Sequence, residues 1–280
     1  MQPNNITPSQ HVFGVVATYH PGALADVQRA VPVETPINLV YSSVPFAVMM
    51  ATPDDLHDFA VGFSLTEGII ESASDIRDIR IEPAERGLRL HISLASDKMQ
   101  RHLSRARAIS GRTGCGLCGI DDLASLPSAQ AKHEVSPVSF AAIENAVAAL
   151  PGHQPLNLAT RAVHAAAFAN LAGELVAVRE DVGRHNALDK LIGALARGNH
   201  AARDGFMIIT SRCSFEMVEK AAIYGAHTLV AISAPTSLAV ERARIHDMAL
   251  ICLARPDSLT IFNSPERIHG LPKNIERSSA

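Results

Sequence analysis

Aromatic residues are scarce in this chain, and tryptophan is absent. Phe, Tyr and Trp together make up 4% of the 280 residues, whereas 47% of the chain is hydrophobic. The core must therefore be built mainly from Ala, Val, Leu and Ile. This composition favours layers of helices and sheets over an aromatic-rich β-sandwich, and the length allows one large domain or two ordinary ones.

The sequence also lacks an excess of charge of either sign. Its formal net charge is −3, and it contains no run of Lys or Arg residues. A general nucleic-acid binder or a membrane-surface binder carries such a basic patch. We therefore expect neither a nucleic acid nor a membrane among the partners of the chain.

Signals for export and membrane insertion are missing as well. The first twenty residues contain no basic start followed by a continuous apolar run. The most apolar long segment, residues 162–178, is interrupted by His164, Asn170 and Glu174, which argues against a membrane span there. Four cysteines are too few for a disulfide scaffold in a chain of this length. We expect a soluble protein of the reducing cytoplasm.

The first half of the sequence is predicted to be rich in strands. Runs with many Val and Ile residues, or with alternating apolar and polar residues, predict strands at 12–19, 37–41, 45–50, 76–81 and 88–94. A helix is predicted to follow Thr52 as its N-cap, with Pro53 at the first helical position and Asp55 placed for a capping box. Gly68 would end it, and a short helix is expected at 98–108.

Strands and helices alternate in the second half. Helices are predicted at 138–150, 186–197, 214–224 and 237–248, and strands at 163–168, 174–179, 206–210, 228–233 and 250–254. The order αββαβαβαβ implies crossover connections and a sheet covered by helices. Polar residues 121–137 form the connection between the halves. We therefore predict a smaller, strand-rich α+β domain at 1–135 and an α/β domain at 136–280.

Two cysteines, Cys115 and Cys118, lie in a loop with four glycines, GRTGCGLCG. A structural zinc site needs four ligands, and the other cysteines, Cys213 and Cys252, stand alone and far apart. A permanent disulfide is disfavoured in a reducing compartment. Glycine amides and Arg112 can stabilise a thiolate, which favours a nucleophilic or carrier thiol. A redox pair and incidental loop cysteines are the open alternatives.

The densest polar cluster of the second half, VREDVGRHN at 178–186, is predicted to join a strand end to a helix start. Open α/β sheets bind ligands at such positions, and helix N-termini favour anions. Similar junctions are predicted at 210–216 and 233–237, and all three should converge along one sheet edge. Each is compatible with plain helix capping. Together they indicate a phosphate-containing or nucleotide-like ligand, although no Walker or GxGxxG motif is present.

Several motifs together resemble the formate dehydrogenase accessory sulfurtransferase (FdhD) family. In order along the chain they read FAVGFSLTEGII, GRTGCGLCG, VREDVGRHNALDKLIG, RCSFEMVEKA and ISAPTSLAV. The resemblance implies a cytidine-deaminase-like αββαβαβ three-layer C-terminal domain. It also implies a sulfurtransferase that accepts persulfide sulfur from a cysteine desulfurase. That sulfur is delivered to the molybdenum bis(guanine dinucleotide) cofactor, which is bound as a substrate and is needed by formate dehydrogenase.

The same resemblance implies the site residues. It assigns the persulfide to Cys115, with Cys118 assisting. It maps the cofactor-binding stretch to Leu253, Ala254, Arg255, Pro256, Asp257 and Ser258. Arg179, Arg184 and His185 would help to hold the anionic guanine nucleotide end. The resemblance further implies a homodimer, and no tightly bound metal is expected.

The chain departs from the family pattern at two places. The family has Gly-Gly two residues before the motif histidine, whereas this chain has Thr160-Arg161-Ala162 before Val163 and His164. The family also has a second basic residue after Arg255, which this chain lacks. We therefore expect only modest affinity for phosphate at that loop.

Two other functions are compatible with parts of the sequence. A zinc nucleobase deaminase uses His-x-Glu at one helix start and Pro-Cys-x-x-Cys at the next. Here His185 is followed by Asn and Ala, and Cys213 stands alone, so the general base and a zinc ligand are missing. The other alternative is a zinc-free, deaminase-fold chaperone that binds the cofactor of the molybdoenzyme without transferring sulfur.

Overall fold

The computed structural model describes residues 7–20, 22–95 and 136–272. Cys115 and Cys118, with their glycine loop and the helix predicted at 98–108, lie outside the described residues.

The chain divides into two compact units, each formed by several segments. As far as they are described, the first unit comprises Met1–Ser128, Gly152–Ala166 and Val178–Asn199, and the second comprises Ala129–Pro151, Ala167–Ala177 and His200–Ala280. The division at 135/136 stays a prediction, and the compact units group the described residues differently.

The described residues up to 95 contain six strands and one helix. They are β1 (Ser9–Ala17), β2 (Leu24–Pro32), β3 (Thr35–Tyr41), β4 (Val44–Ala51), α1 (Leu56–Thr66), β5 (Ile76–Ala84) and β6 (Gly87–Leu94). β1 and β2 form a separate antiparallel sheet, and the other strands form a sheet in the order β4-β3-β6-β5. The strands predicted in this half are confirmed, with their ends shifted by up to three residues. The sequence pattern does not indicate β2, because polar residues break its apolar alternation.

The four-stranded sheet and α1 share a hydrophobic core. Leu39 of β3, Leu90 of β6 and Phe59 of α1 are all completely buried in it. The Tyr41 hydroxyl, also completely buried, is hydrogen-bonded to the Ser64 hydroxyl at 2.7 Å. The polar group that enters this core is therefore satisfied, as burial requires.

The start of α1 differs from the prediction made from sequence. The helix begins at Leu56, and its N-cap is Asp55, whose backbone is left-handed with φ 52°. Thr52 is completely buried, and its N–H donates to the carboxylate of Asp181 at 3.0 Å. Its Oγ1 accepts a hydrogen bond from the Val182 N–H at 3.1 Å. The capping role predicted for Thr52 is wrong, because partners far along the chain engage its polar groups.

The C-terminal half follows the predicted alternation. Its elements are β7 (Val138–Ser139), α2 (Phe140–Ala149), α3 (Pro155–Thr160), β8 (His164–Asn170), β9 (Leu175–Asp181), α4 (Arg184–Arg197), β10 (Gly205–Ile209), α5 (Phe215–Tyr224), β11 (Thr228–Ala231), α6 (Ser237–Ile245), β12 (Ala249–Cys252), β13 (Thr260–Asn263) and β14 (Ile268–His269). Every helix and strand predicted in this half is confirmed within a few residues. The elements that the pattern does not indicate, α3, β7, β13 and β14, are too short for a clear hydrophobic period.

Six of these strands form one sheet in the order β13-β12-β11-β10-β8-β9. β10, β11 and β12 are parallel, with Ile209 opposite Ala231 and Val230 opposite Ile251. Parallel neighbours need crossover connections, and α5 and α6 supply them. The predicted mixed α/β fold is confirmed, whereas the cytidine-deaminase-like layering stays a prediction. In the part of the chain described, no helix is long and apolar enough to cross a membrane.

Helices α1 and α4 approach each other closely at two glycines. A Cβ atom on Gly62 would lie 1.7 Å from the carbonyl oxygen of Asp189. A Cβ atom on Gly193 would lie 1.9 Å from the carbonyl oxygen of Asp58. Both distances are far shorter than van der Waals contact, so a larger residue at either position would force the helices apart. The crossing holds together the polar residues of the candidate site.

Candidate functional site

Asp181, the last residue of β9, lies at the centre of a buried polar cluster. Its Oδ2 accepts hydrogen bonds from the Thr52 N–H at 3.0 Å and from the Lys190 ammonium at 2.7 Å. Its Oδ1 accepts them from the Gly183 N–H at 2.8 Å and from Asn186 Nδ2 at 3.0 Å. Both carboxylate oxygens are therefore paired, as a fully buried charge requires.

Lys190 of α4 is the cationic partner in this cluster. Its Nζ also donates to the carbonyl oxygen of Thr52 at 2.9 Å and, more weakly, to that of Glu180 at 3.4 Å. All three ammonium hydrogens thus have an acceptor. Neither the Lys190 nor the Asp181 side chain has exposed surface. The pair joins the segment before α1, the end of β9 and α4, and no donor is left for a ligand.

Arg179, a predicted nucleotide-binding residue, is engaged by carboxylates. Its Nε and Nη2 each lie 2.8 Å from Asp58 Oδ2, and Nε lies 3.3 Å from Asp55 Oδ2. Arg197 of α4 pairs with the other oxygen of Asp58. Burial raises the pKa of Asp55, and the charge of Arg179 opposes that rise. The guanidinium of Arg179 therefore serves the α1–β9 contact, and its predicted role toward a nucleotide stays a prediction.

Arg184 and His185 form the start of α4. The N-cap, Gly183, provides no side-chain cap, and the buried Nε of Arg184 has no hydrogen-bond partner among the described residues. Burial, followed by the charge of Arg184, lowers the pKa of His164, which favours a neutral imidazole. A helix start beside a guanidinium nitrogen that has no protein partner is suited to an anion. Arg184 is thus the best placed of the predicted residues in this unit, and His185 lies half-buried beside it.

A cavity of about 330 Å³ in the same unit has an acidic lining. Asp54, Asp55 and Glu180 are its carboxylates. The Glu180 carboxylate accepts the N–H groups of Leu156 and Asn157 at the start of α3, both at 2.8 Å. Burial raises the pKa of Glu180 despite these hydrogen bonds. Such a lining repels phosphate, so this cavity is not the candidate nucleotide site.

In the second unit, β10, β11 and β12 end along one sheet edge because they are parallel. Cys213 follows β10, Cys252 ends β12, and both thiols are completely buried. The hydrogen bond with Cys252, followed by burial, raises the pKa of the Cys213 thiol. A buried thiol that remains protonated is a poor nucleophile. This pair is therefore not suited to carrying sulfur.

The predicted cofactor-binding loop follows β12 at the same edge. Leu253 has left-handed backbone with φ 53°, and its N–H donates to the Ser233 carbonyl at 3.1 Å. The Ala254 N–H donates to the Ala231 carbonyl at 3.1 Å, so the loop is fixed to the end of β11. The Arg255 N–H donates to the Ser258 carbonyl at 2.7 Å and closes a tight turn.

The side chains of this turn are available to a ligand. Those of Arg255, Pro256, Asp257 and Ser258 are exposed, whereas Ala254 is buried. The predicted site residues thus fall in both units. Arg179, Arg184 and His185 belong to the first unit, and the loop from Leu253 to Ser258 belongs to the second.

The sequence pattern does not reveal the buried cluster around Asp181. Taken alone, Asp181 is well explained as a turn residue, and Thr52 as a helix cap. One signal is present in α4, where Asp189 and Lys190 stand between Leu188 and Leu191. Charged residues enclosed by apolar neighbours indicate buried partners.

No group of three or more His, Cys, Asp or Glu side chains within residues 7–20, 22–95 and 136–272 is arranged to hold a metal ion. The expectation that the protein carries no metal stays a prediction. The loop of Cys115 and Cys118 lies outside those ranges.

Fold and site together define a mixed α/β protein with a buried ion pair where β9 meets α4. An arginine at the start of that helix has a buried Nε without a hydrogen-bond partner among the described residues. The chain belongs to the FdhD/NarQ family, whose model matches residues 32–269. The family resemblance seen in the motifs is therefore confirmed.

Relatives match nearly the whole chain. A sulfur carrier protein FdhD from Xanthomonas euvesicatoria pv. vesicatoria is 45% identical over 258 residues, which cover 92% of both chains. A sulfur carrier protein FdhD from Bordetella petrii is 45% identical over 240 residues, covering 85% of this chain and 86% of the relative. A crystal structure from Desulfotalea psychrophila, of a protein assigned as a formate dehydrogenase accessory protein, gives a TM-score of 0.75 at 27% identity. It covers 94% of this chain and 100% of that chain.

Proposed function

We propose that this protein is a sulfur carrier that serves formate dehydrogenase. The observation that carries the proposal is the 45% identity, over 92% of both chains, to a relative named sulfur carrier protein FdhD. The two cysteines of GRTGCGLCG supply the chemistry, since the other two, Cys213 and Cys252, are buried and hydrogen-bonded to each other. On this proposal the protein is a sulfurtransferase that acts in the cytoplasm as a homodimer.

The transfer runs through a cysteine persulfide. The thiolate of Cys115 attacks the outer sulfur of the persulfide on a cysteine desulfurase, and the desulfurase cysteine leaves as a thiolate. Cys115 then holds the sulfane sulfur as its own persulfide. It passes that sulfur to the molybdenum bis(guanine dinucleotide) cofactor, which is the substrate and recipient. Cys118 assists, either by resolving the persulfide or by taking part in the transfer.

The guanine nucleotide end of the cofactor is held by Arg255, which is exposed on a turn fixed by backbone hydrogen bonds. Arg184, in the other unit, is a separate candidate for an anion, because its Nε has no partner among the described residues. A guanidinium binds phosphate oxygens through charged hydrogen bonds. We also propose the cytidine-deaminase-like layering for this half, which is supported by the element order αββαβαβ.

The test is mass spectrometry of the protein after incubation with a cysteine desulfurase and cysteine. We expect the mass of one additional sulfur atom, on the peptide that contains Cys115, and its loss on treatment with a reductant. Cys115→Ala should prevent loading, whereas the matched variant Cys213→Ala should load like the wild type. A wild-type chain that takes up no sulfur, yet is still required for formate dehydrogenase activity, would overturn sulfur transfer in favour of a chaperone.

A further inference from the structure

The strands β1 and β2 form a two-stranded arm, which we define as residues 9–32. Within the described residues, these strands pair only with each other. In β1 every residue except Ser9 and Val16 is exposed, and in β2 only Val27 and the last three residues are half-buried. An isolated two-stranded hairpin is marginally stable in water at best. Apart from the contact of β2 with α3, the arm therefore lacks the packing that such a hairpin needs.

One face of the arm is largely apolar and exposed. The register places Val15 opposite Asp26 and Ala17 opposite Leu24, so Phe13, Val15 and Leu24 lie on the same face, which also carries the polar side chains of Asp26 and Gln28. Their exposed fractions are 84% for Phe13, 63% for Val15 and 76% for Leu24. Tyr19, in the turn, is 97% exposed. Contiguous apolar exposure of this kind marks an interaction surface rather than ordinary surface scatter.

The size of this surface fits a protein partner. Two aromatic side chains, Phe13 and Tyr19, and two smaller apolar ones, Val15 and Leu24, are largely exposed and together supply about 500 Å² of apolar area. Each partner in a standard interface buries about 800 Å², of which about 65% is apolar in homodimers. The arm alone therefore supplies most of the apolar area that one partner of a stable homodimer needs.

The arm carries little charge, which argues against a strongly acidic or basic partner. Residues 9–32 contain one carboxylate, on Asp26, and one guanidinium, on Arg29, and no other Asp, Glu, Lys or Arg. A surface selected for a strongly acidic or basic partner carries the opposite charge. Asp26 lies on the face of Val15, and Arg29 lies on the opposite face. A face with one charge among apolar side chains can pack against a second copy of itself when that carboxylate lies at the polar rim of the contact. The arm also precedes the region matched by the family model, which begins at residue 32.

We propose that the arm is the surface through which two copies of this chain associate, with the face of Phe13, Val15 and Leu24 packed against the second copy. The outer edges of β1 and β2, which pair with no other strand among the described residues, add backbone groups to that contact. This inference shares with the proposed function only the expectation of a homodimer.

The test is the mass in solution of the full chain, measured by light scattering and sedimentation over a range of concentrations. The variants are Phe13→Glu and Val15→Glu, which place a carboxylate on the apolar face at exposed positions. The matched control is Ile245→Glu, because Ile245 is 58% exposed on α6, outside the arm. We expect a wild-type dimer. Each arm variant should raise its dissociation constant by at least about thirtyfold, as loss of an interface hot spot does, and the control should leave it unchanged.

Two results would overturn the proposal. The wild-type chain could stay monomeric at about 100 µM, a concentration that populates even weak specific dimers. That result would rule out the homodimer and would not affect the proposed sulfur loading of Cys115. If Phe13→Glu and Val15→Glu leave the dissociation constant of the dimer as unchanged as Ile245→Glu does, the homodimer exists but the arm is not its interface. Thermal unfolding of the variants shows whether the body is unaffected, and Tyr19→Ser, in the turn, gives a third and milder probe.

Discussion

The side chains of Lys190 and Asp181 are removed from water entirely, which is costly for two charges. The cost is offset because Asp181 accepts four hydrogen bonds and Lys190 donates three. Such a pair fixes geometry more than it adds net stability. Removing only one of its members leaves an uncompensated buried charge, which is the strongly destabilising case.

Lys190→Met is therefore expected to lower the free energy of unfolding by about 3–5 kcal/mol. The double variant Lys190→Met with Asp181→Asn removes both charges and should lose less, because no buried charge is left alone. Urea denaturation measures both values. The single variant Asp181→Asn is measured as well. If the loss of unfolding free energy in the double variant equals the sum of the losses in the two single variants, the two side chains are not coupled.

Arg255→Ala is expected to weaken the binding of GDP, used as a fragment of the cofactor. One charged hydrogen bond contributes about 1.5–3 kcal/mol, so the dissociation constant should rise about ten- to a hundredfold. Calorimetric titration measures it, with ADP as the competing nucleotide. Arg203→Ala is the matched control, because the Arg203 side chain is 73% exposed in the same unit. Equal binding of GDP and ADP, or no binding of either, would show that the guanine site is misplaced.

Residue-level prediction from the sequence succeeds where a position is set locally. Arg255 follows a strand and Arg184 lies at a strand–helix junction, as the sequence indicates. The engagement of Arg179 could not be predicted, because its partner Asp58 lies 121 positions away. Composition and spacing carry no information on such a pair.

At the scale of elements, the contact between α1 and α4 depends on the absence of side chains at two points. Gly62 and Gly193 each face backbone atoms of the opposite helix. Helix propensity alone would favour Ala at both positions by about 1 kcal/mol. The glycines are therefore retained for close packing of the two helices, which positions Asp58 and Lys190.

Gly193→Ala is expected to lower the free energy of unfolding by about 2 kcal/mol or more, since overpacking outweighs the gain in helix propensity. Gly152→Ala is the matched control, because a Cβ atom there would meet nothing within 4 Å. We expect the control to stay within about 0.5 kcal/mol of the wild type. Differential scanning calorimetry compares the two, and equal stability would show that the helices can separate without cost.

Elements with a long hydrophobic period are predictable from this sequence, and short or irregular ones are not. The strands from β3 to β6 and the helices α4 and α5 follow clear patterns. β2 mixes exposed apolar and polar residues, and α3 has only six residues. The start of α1 is mispredicted because Thr52 followed by Pro53 has the sequence pattern of a helix cap. The polar groups of Thr52 are instead hydrogen-bonded to Asp181 and Val182.

At the scale of the whole molecule, the order of strands and helices is predictable, whereas the grouping of segments is not. The first unit takes in residues 152–166 and 178–199, although they follow a long polar connection. Sequence composition identifies that connection. It does not indicate that later segments of the chain pack into the first unit again. Fold class therefore follows from local pattern, and the compact units depend on tertiary contacts.

The return of the chain to its first unit has a consequence for synthesis. Thr52 is hydrogen-bonded to Asp181, 129 residues later, and Gly62 faces a helix that ends at Arg197. A ribosome adds about 5–20 residues per second, so the sheet from β3 to β6 and its helix wait roughly 5–20 seconds for α4 to emerge. During that interval the face of α1 that packs against α4 has no partner, although its other face already packs on the sheet. The nascent chain is therefore most exposed to aggregation, and most in need of a chaperone, before residue 199 has left the ribosome.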